Sequence, residues 1–491
     1  MRTYAVVYFG TLIVALIATP AVARLARVLN IMDVPDSRKV HTAPIPRMGG
    51  MAIIIALLGG TIPVLLIDNR VGEAFRKVDS QIIALLAAGV FVGCVGLIDD
   101  ICSLKARVKF LAQACAALAL CTFGIRIDSV TVLGLGTIPL GWLAWPLTVL
   151  WITGLTNAMN MIDGLDGLAA GIGAIAAGVI ALFAITTNQP VVAVLMLALL
   201  GGLMGFLVFN FNPAKIFMGD CGSMFVGFFL ASASVFSADA ASTSVGVGLV
   251  ALALGVPILD TFFSMARRFL ERRSLFAPDR GHMHHRLVRY GLRQRHAVMM
   301  IYATTLVSAG LGMFMMLTRG VGTIVVFGCV CILLLLVFVS IGSMRLKEAV
   351  QRLRRNVALA REAKEQQKVF ENAQLRIREA QTFETWWQAV CIAAGDMGVS
   401  RLTLKAVNTD GTTSEMKWQQ GVEVNPHEIV STTVPIRQRY DRPTLHAQVD
   451  VPVRSSLESA GLRVQFFSRL IDENGLAELP ETDAGFPPAF C

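Results

Sequence analysis

The sequence predicts an all-α polytopic membrane protein of about eleven transmembrane helices, N-terminus outside and C-terminus inside, followed by a cytosolic helix and a small α+β domain. Three observations predict it. Apolar residues make up 55% of the 491 and charged residues only 16%, against about 25% charged in soluble domains. The apolar excess is gathered into runs of roughly 20 residues, each long enough to cross ~30 Å of hydrocarbon. Those runs stop near Ile341 and charge returns beyond Met344, which divides the chain into a membrane domain (1–343), a helical linker with a short coiled-coil pattern (344–382) and a terminal domain (383–491).

The runs lie at 3–23, 49–67, 80–98, 109–124, 141–158, 168–187, 191–209, 222–238, 244–263, 297–317 and 321–343. The first ends in Ala21-Val22-Ala23, which imitates a signal-peptidase site. Its apolar core exceeds the roughly 7–15 residues of a signal peptide, so it is read as a retained span. Loops then alternate between two sides. One carries 18 Lys and Arg, from Arg24 through Arg47, Lys109 and Lys215 to Arg295, and the other carries six. Basic loops stay inside, so the first side is cytoplasmic. The net charge of +9 is absorbed by this topology, and no interleaved aromatic and basic patch predicts nucleic acid. The nine cysteines form no C-x-x-C pair, and most sit in apolar runs where they pack as small apolar groups.

Five loops of the cytoplasmic side hold chemistry. They contain Asp36 to Gly50 with Arg47, Asp99-Asp100 through Lys109, Asn157 to Gly167, Asn210 to Ser223, and Pro278 to Arg286 with three histidines. Singly these have ordinary explanations: interfacial acids ending a span, a solvated histidine loop, an Asn-Pro turn. Gathered on one side of a membrane protein, they predict a polar site. Carboxylates suit Mg²⁺, while arginines and His⁺ suit phosphate oxygens. Gly164, Gly167, Gly219 and Gly222 are expected to let backbone approach a ligand.

Asp99-Asp100, Asn160-Met-Ile-Asp163-Gly-Leu-Asp166-Gly, Phe217-Met-Gly-Asp220-x-Gly-Ser223 and Pro278-Asp279-Arg280-x-His282-x-His284-His285 resemble the motifs of the polyprenyl-phosphate N-acetylhexosamine-1-phosphate transferases, glycosyltransferase family 4. The spaced histidines are similar to the branch using UDP-GlcNAc. The branch using UDP-MurNAc-pentapeptide is expected to carry three consecutive histidines. Ile101-Cys102-Ser103 replaces a longer acidic signature, and Cys221 stands beside Asp220 where another small residue is usual.

The resemblance implies transfer of a HexNAc-1-phosphate from a UDP-N-acetylhexosamine to undecaprenyl phosphate, releasing UMP and initiating a lipid-linked envelope glycan at the bacterial plasma membrane. It implies Mg²⁺, with Mn²⁺ as a substitute, on Asp220 with Asn160 as a neutral oxygen ligand. Asp163 and Asp166 are expected to hold the nucleotide-sugar and Phe217 to stack on uracil. Arg47, Lys109, Arg280, His282, His284 and His285 are expected to grip phosphate or sugar. Asp99 and Asp100 are the expected catalytic pair, as general base or, for Asp100, as covalent nucleophile. A one-step attack is favoured because a phosphate monoester, with a second pKa of about 6, is already largely ionised at neutral pH. A lipid-linked sugar flippase is the rival of another class. It would place charges near the midplane, where only Asp260 stands, and that toward one end of its run.

In the tail, Leu346, Val350, Leu353, Val357 and Ala360 keep heptad spacing for about two heptads. Trp386, Trp387 and Val390 predict a buried helix face. Residues 401–407, 432–438 and 445–453 alternate like strands. Regulation, partner docking and homodimer formation are the roles left open for it.

Overall fold

A computed structural model describes residues 2–34, 44–132, 136–241, 245–271, 274, 281–315, 318, 321–340, 346–407, 413–420, 428–436, 444–453 and 456–474. The chain divides into two units, Met1–Leu346 and Lys347–Cys491.

In the first unit, α1 (Arg2–Val28) leads into a ribbon of β1 (Met32–Asp33) and β2 (Ile45–Pro46), paired antiparallel. Then come α2 (Gly49–Thr61), tightening into a 3₁₀ turn at Ile62–Leu66, and α3 (Arg70–Lys77). Helix α3 lies between two apolar runs, and its start is set by Asn69, whose side chain accepts from the Val71 and Gly72 amides. Next are α4 (Asp79–Cys102), α5 (Ala106–Thr122), a hairpin of β3 (Ser129–Val132) and β4 (Gly136–Pro139), α6 (Ala144–Ile162), α7 (Leu168–Thr186) and α8 (Pro190–Asn210). The unit closes with α9 (Gly219–Ala241), α10 (Val245–Ala253), α11 (Gly255–Leu270), α12 (Met283–Arg289), α13 (Gln294–Met315) and α14 (Val321–Ser340).

Each of the predicted apolar runs is helical where described. Among the described residues, seven helices are long and apolar enough to cross a membrane, or eight if a bent pair counts as one span. The bent pair corrects the sequence reading. The run at 244–263 is broken at Leu254, where α10 and α11 meet at 74°. Pro257 has no N–H to offer the Ala253 carbonyl, so the helix cannot continue straight through.

Helix α9 forms the centre: 94% of its apolar window is buried, and it packs against α2, α4, α6, α7, α8 and α10. Small residues make this approach feasible. A Cβ on Gly227 would lie 2.9 Å from the Cα of Thr156 on α6. Polar side chains also join the elements, with Trp151 Nε1 donating to Ser234 Oγ at 2.9 Å and Ser237 Oγ to Gln189 Oε1 at 2.8 Å.

The second unit contains α15 (Leu346–Arg378), α16 (Phe383–Asp396), strands β5 (Arg401–Val407), β6 (Thr413–Gln419), β7 (Ile429–Ile436) and β8 (Thr444–Pro452), and α17 (Leu457–Glu473). The strands form one antiparallel sheet in the order β6-β5-β8-β7. Trp386 and Val390 are buried in its core with Leu402, Leu404, Val449 and Phe467, whereas Trp387 is half-buried. Strand β6 carries Thr-Ser-Glu-Met-Lys-Trp-Gln on a sheet edge, where Met416 and Trp418 alternate with polar residues and pack half-buried against the core. On α15 the residues that enter the core are Phe370, Ala373 and Ile377, beyond the heptad stretch, while Val357 is exposed.

Candidate active site

The site is assembled around the first turn of α9. Phe217 and Met218 run beside the segment preceding α2. Phe217 N donates to Pro46 O at 2.8 Å, and the carbonyls of Phe217 and Met218 accept from Gly49 and Gly50 at 2.9 Å each. This pairing brings Arg47 to Asp220. Arg47 donates from Nε to Asp100 Oδ1 at 2.9 Å and from a terminal nitrogen to Asp220 Oδ1 at 2.9 Å. From the other side, Lys109 Nζ meets Asp220 Oδ2 at 2.8 Å and Asp99 Oδ2 at 2.9 Å. Three carboxylates and two cations therefore form one alternating chain, Asp99–Lys109–Asp220–Arg47–Asp100.

Asp100 differs from its neighbour. Its side chain is fully buried, and its two oxygens accept the Asp220 and Cys221 amides at 2.9 and 3.0 Å. It caps the start of α9, taking two of the N–H groups that a helix leaves open there. Gly219 is needed beside it: its φ is +72°, and a Cβ would stand 2.4 Å from Asp100 Oδ2. Space at Gly219 is thus used by a carboxylate of the protein, Gly222 lies against Gly50, and Gly164 lies against His284. At these three glycines a protein group makes the close approach. With both oxygens committed, Asp100 is a poor nucleophile. Asp99 is engaged on both oxygens as well, taking the Leu104 amide at 2.6 Å on Oδ1 and Lys109 on Oδ2.

Asn160, on the last turns of α6, donates from Nδ2 to Ser223 Oγ at 3.0 Å, one turn along α9 from Asp220, which orients its amide. Asp163 follows the end of α6 and makes no hydrogen bond or ion pair among the described residues. Burial, then the charge of Asp220, pushes its pKa up to about 7. Asp166 serves the fold: Oδ2 accepts Asn212 Nδ2 at 2.8 Å and the Ala214 amide at 3.0 Å. It holds the turn that leads to Phe217.

The histidine segment enters from α12. His282 and His284 are buried. Their rings stack at 5.6 Å with 12° between planes, and His285 lies 4.3 Å from His284. Nδ1 of His284 is buried without a partner among the described residues, and burial holds its pKa down at about 3. That burial favours the neutral imidazole at His284, a hydrogen-bonding group. Arg280 and the segment at 35–43 lie outside the described residues. Sequence reasoning placed Asp260 only as a span charge. In the structure it meets His282, and its signal was a lone acid in an apolar run.

One pH prediction follows. The raised pKa of Asp163 means the folded state holds a proton between about pH 4 and 7 that the unfolded state has lost. Stability contributed by that proton is present below about pH 4 and is lost as the pH rises through about 7. Thermal unfolding in detergent without divalent ions is expected to show Tm falling across this window. Asp163→Asn should flatten the fall, and an unchanged slope would contradict the assignment.

The glycosyl transferase family 4 profile matches residues 82–254, the stretch that supplies Asp99, Asp100, Lys109, Asn160, Asp163, Asp166, Phe217 and Asp220. The chain is 39% identical over 298 residues to a probable undecaprenyl-phosphate N-acetylglucosaminyl 1-phosphate transferase of Bacillus subtilis, covering 60% of this chain and 80% of that one. It is 35% identical over 326 residues to a decaprenyl-phosphate N-acetylglucosaminephosphotransferase of Mycobacterium tuberculosis, covering 62% and 80%. It is 32% identical over 282 residues to a phospho-N-acetylmuramoyl-pentapeptide-transferase of a Synechococcus species, covering 54% and 78%. By its motifs, the site they build and these relatives, the chain belongs to glycosyl transferase family 4, the polyprenyl-phosphate N-acetylhexosamine-1-phosphate transferases.

Proposed function

We propose that this protein transfers N-acetylglucosamine 1-phosphate from UDP-N-acetylglucosamine to undecaprenyl phosphate, releasing UMP, at the cytoplasmic face of a bacterial plasma membrane. The observation that carries the reading is the Asp220 carboxylate held between Arg47 and Lys109 beside Asp99 and Asp100. Joining two polyanions needs cations and fixed positions more than covalent chemistry. The names of the B. subtilis and M. tuberculosis relatives support the sugar and the class of lipid. The excess of Lys and Arg in the loops carrying the site supports the cytoplasmic face, an outside N-terminus and an inside C-terminus.

In the reaction, a phosphate oxygen of the lipid attacks the phosphorus that bears the sugar. The bond from that phosphorus to the uridylate oxygen breaks, and UMP leaves with the electron pair. The acceptor needs little help from a base, so Asp99 acts by holding Lys109 toward the incoming phosphate. Arg47 and Lys109 exchange part of their carboxylate contacts for phosphate oxygens. Phe217 is assigned to uracil, and His282, His284 and His285 to sugar and phosphate.

The donor set fits Mg²⁺. Asp220, Asp163 and the Asn160 amide oxygen are hard oxygen donors, and Ser223 takes the Asn160 nitrogen so that its oxygen is the free end. These residues would hold the ion, with Mn²⁺ as a substitute. When bound, it supplies charge neutralisation of the diphosphate.

Purified protein incubated with radiolabelled UDP-sugars and undecaprenyl phosphate is expected to yield lipid product from UDP-N-acetylglucosamine, lost with EDTA and restored by Mg²⁺. No product from any donor would sink the reading. The Synechococcus relative brings UDP-MurNAc-pentapeptide into the same panel, against which the spaced histidines argue. Deleting everything after about Lys347 is expected to leave transfer in detergent largely intact, because the assembled charges all lie in the first unit. A truncated protein that is folded and monodisperse but inactive would show that the tail completes the site.

A further inference from the structure

We infer that Asp260 is a positioning residue that fixes the tautomer and pose of His282, so that the imidazole offers Nε2 to the substrate. The inference rests on the transfer reading for its kinetic test only.

Asp260 lies on α11 behind the apolar stretch Gly255 to Leu259, and it is 4% exposed. An acid at such a place is costly unless its oxygens are occupied. Both are. His282 Nδ1 lies 2.8 Å from Oδ2, and the Met283 amide donates to Oδ1 at 2.8 Å. One carboxylate therefore grips two consecutive residues of the histidine segment, side chain of the first and backbone of the second.

A carboxylate has no proton to give, so Nδ1 of His282 must be the donor. That leaves Nε2 as the ring atom free for chemistry, and a carboxylate behind a working histidine orients the ring as well. The effect reaches further than one ring. His282 stacks on His284, whose Nε2 would lie 2.4 Å from a Cβ built on Gly164. Through two imidazoles, α11 is thereby set against the Asn160–Gly167 loop that carries Asp163.

Asn in place of Asp260 separates this role from simple capping. An asparagine has the same shape and can accept the Met283 amide, and Asn is a good helix cap. Its other end is an NH₂, which must donate to His282 Nδ1 and so drive the ring proton to Nε2. The experiment compares the full chain with Asp260→Asn and Asp260→Ala in detergent. For Asp260→Asn we expect kcat to fall about 100-fold, KM for UDP-N-acetylglucosamine to stay within about twofold, and Tm to hold. Asp260→Ala should lose thermal stability in addition.

Activity of Asp260→Asn within about threefold of wild type would overturn the inference and reduce Asp260 to a cap. A second readout needs no substrate. In ¹⁵N-histidine-labelled protein, the His282 signals, identified by their loss in His282→Gln, should show a protonated Nδ1, reversed to Nε2 in Asp260→Asn. An unprotonated Nδ1 in the wild type would also overturn it. Should the wild-type protein transfer from no UDP-sugar, the functional reading fails while the nitrogen signals still decide the tautomer.

Discussion

Asp220→Asn is expected to lower transfer by about 10³-fold while leaving the protein folded in the membrane. The two oxygens of Asp220 receive different cations, Arg47 at 2.9 Å and Lys109 at 2.8 Å. Asparagine keeps one acceptor and turns an NH₂ toward the other cation, so the centre of the charge chain is lost and the proposed metal loses its carboxylate. Removing one partner of a buried pair costs about 3–5 kcal/mol. Here the cost should be smaller, because Arg47 and Lys109 are 35% and 20% exposed and keep Asp100 and Asp99. The loss should therefore appear in the rate far more than in Tm, measured side by side in detergent. A variant with near-normal Mg²⁺-supported activity would refute both the metal and the charge-chain assignments.

Asp100→Ala is expected to harm stability and rate together. The buried carboxylate satisfies two amides at the start of α9 and the Arg47 guanidinium. Deleting it strands the two amides and leaves Arg47 with Asp220 alone, at about 3–5 kcal/mol. It also frees the turn that aims Asp220, for which a loss of about 10²-fold is expected, since small misplacements cost that much. Gly219→Ala should reproduce much of this, because its methyl would collide with Asp100. The same geometry predicts that wild-type protein given ³²P-labelled UDP-N-acetylglucosamine without acceptor forms no hydroxylamine-sensitive label. Label released from Asp100 would reinstate a covalent intermediate.

Much of the membrane unit was legible because an apolar run of span length is a property of composition, and each such run is helical where described. The break before Pro257 was legible in principle and was missed because hydropathy ignores a missing N–H. Helix α3 and strand β6 were missed because each carries only a short apolar pattern, Val71, Ala74 and Phe75 in one and Met416 and Trp418 in the other, which a side-chain cap or a sheet neighbour completes. In the site, acids, amides and histidines at the ends of spans pointed to the residues. Their partners were not legible. Nothing local distinguishes Asp99 from Asp100, yet one takes Lys109 and the other caps α9, because a neighbouring position on a helix faces a different way. The sequence likewise gives no local sign of the turn that Asp166 holds or of the stacking of His284 on His282.

The central position of α9 also sets an order of events during synthesis. Arg47 and Lys109 emerge from the ribosome 173 and 111 residues ahead of Asp220. Until α9 inserts, those two cations lack the carboxylate that joins them. Arg47 and Asp100 meet early, but the amides that hold Asp100 arrive about as late as Asp220 itself, 120 residues on. A nascent chain stopped before α9 thus presents an unfinished polar cluster at the membrane surface, the kind of exposed, half-paired intermediate that quality-control proteases recognise. Insertion of one helix completes the charge pairing and brings in the centre of the core, to which the helices after α9 then add.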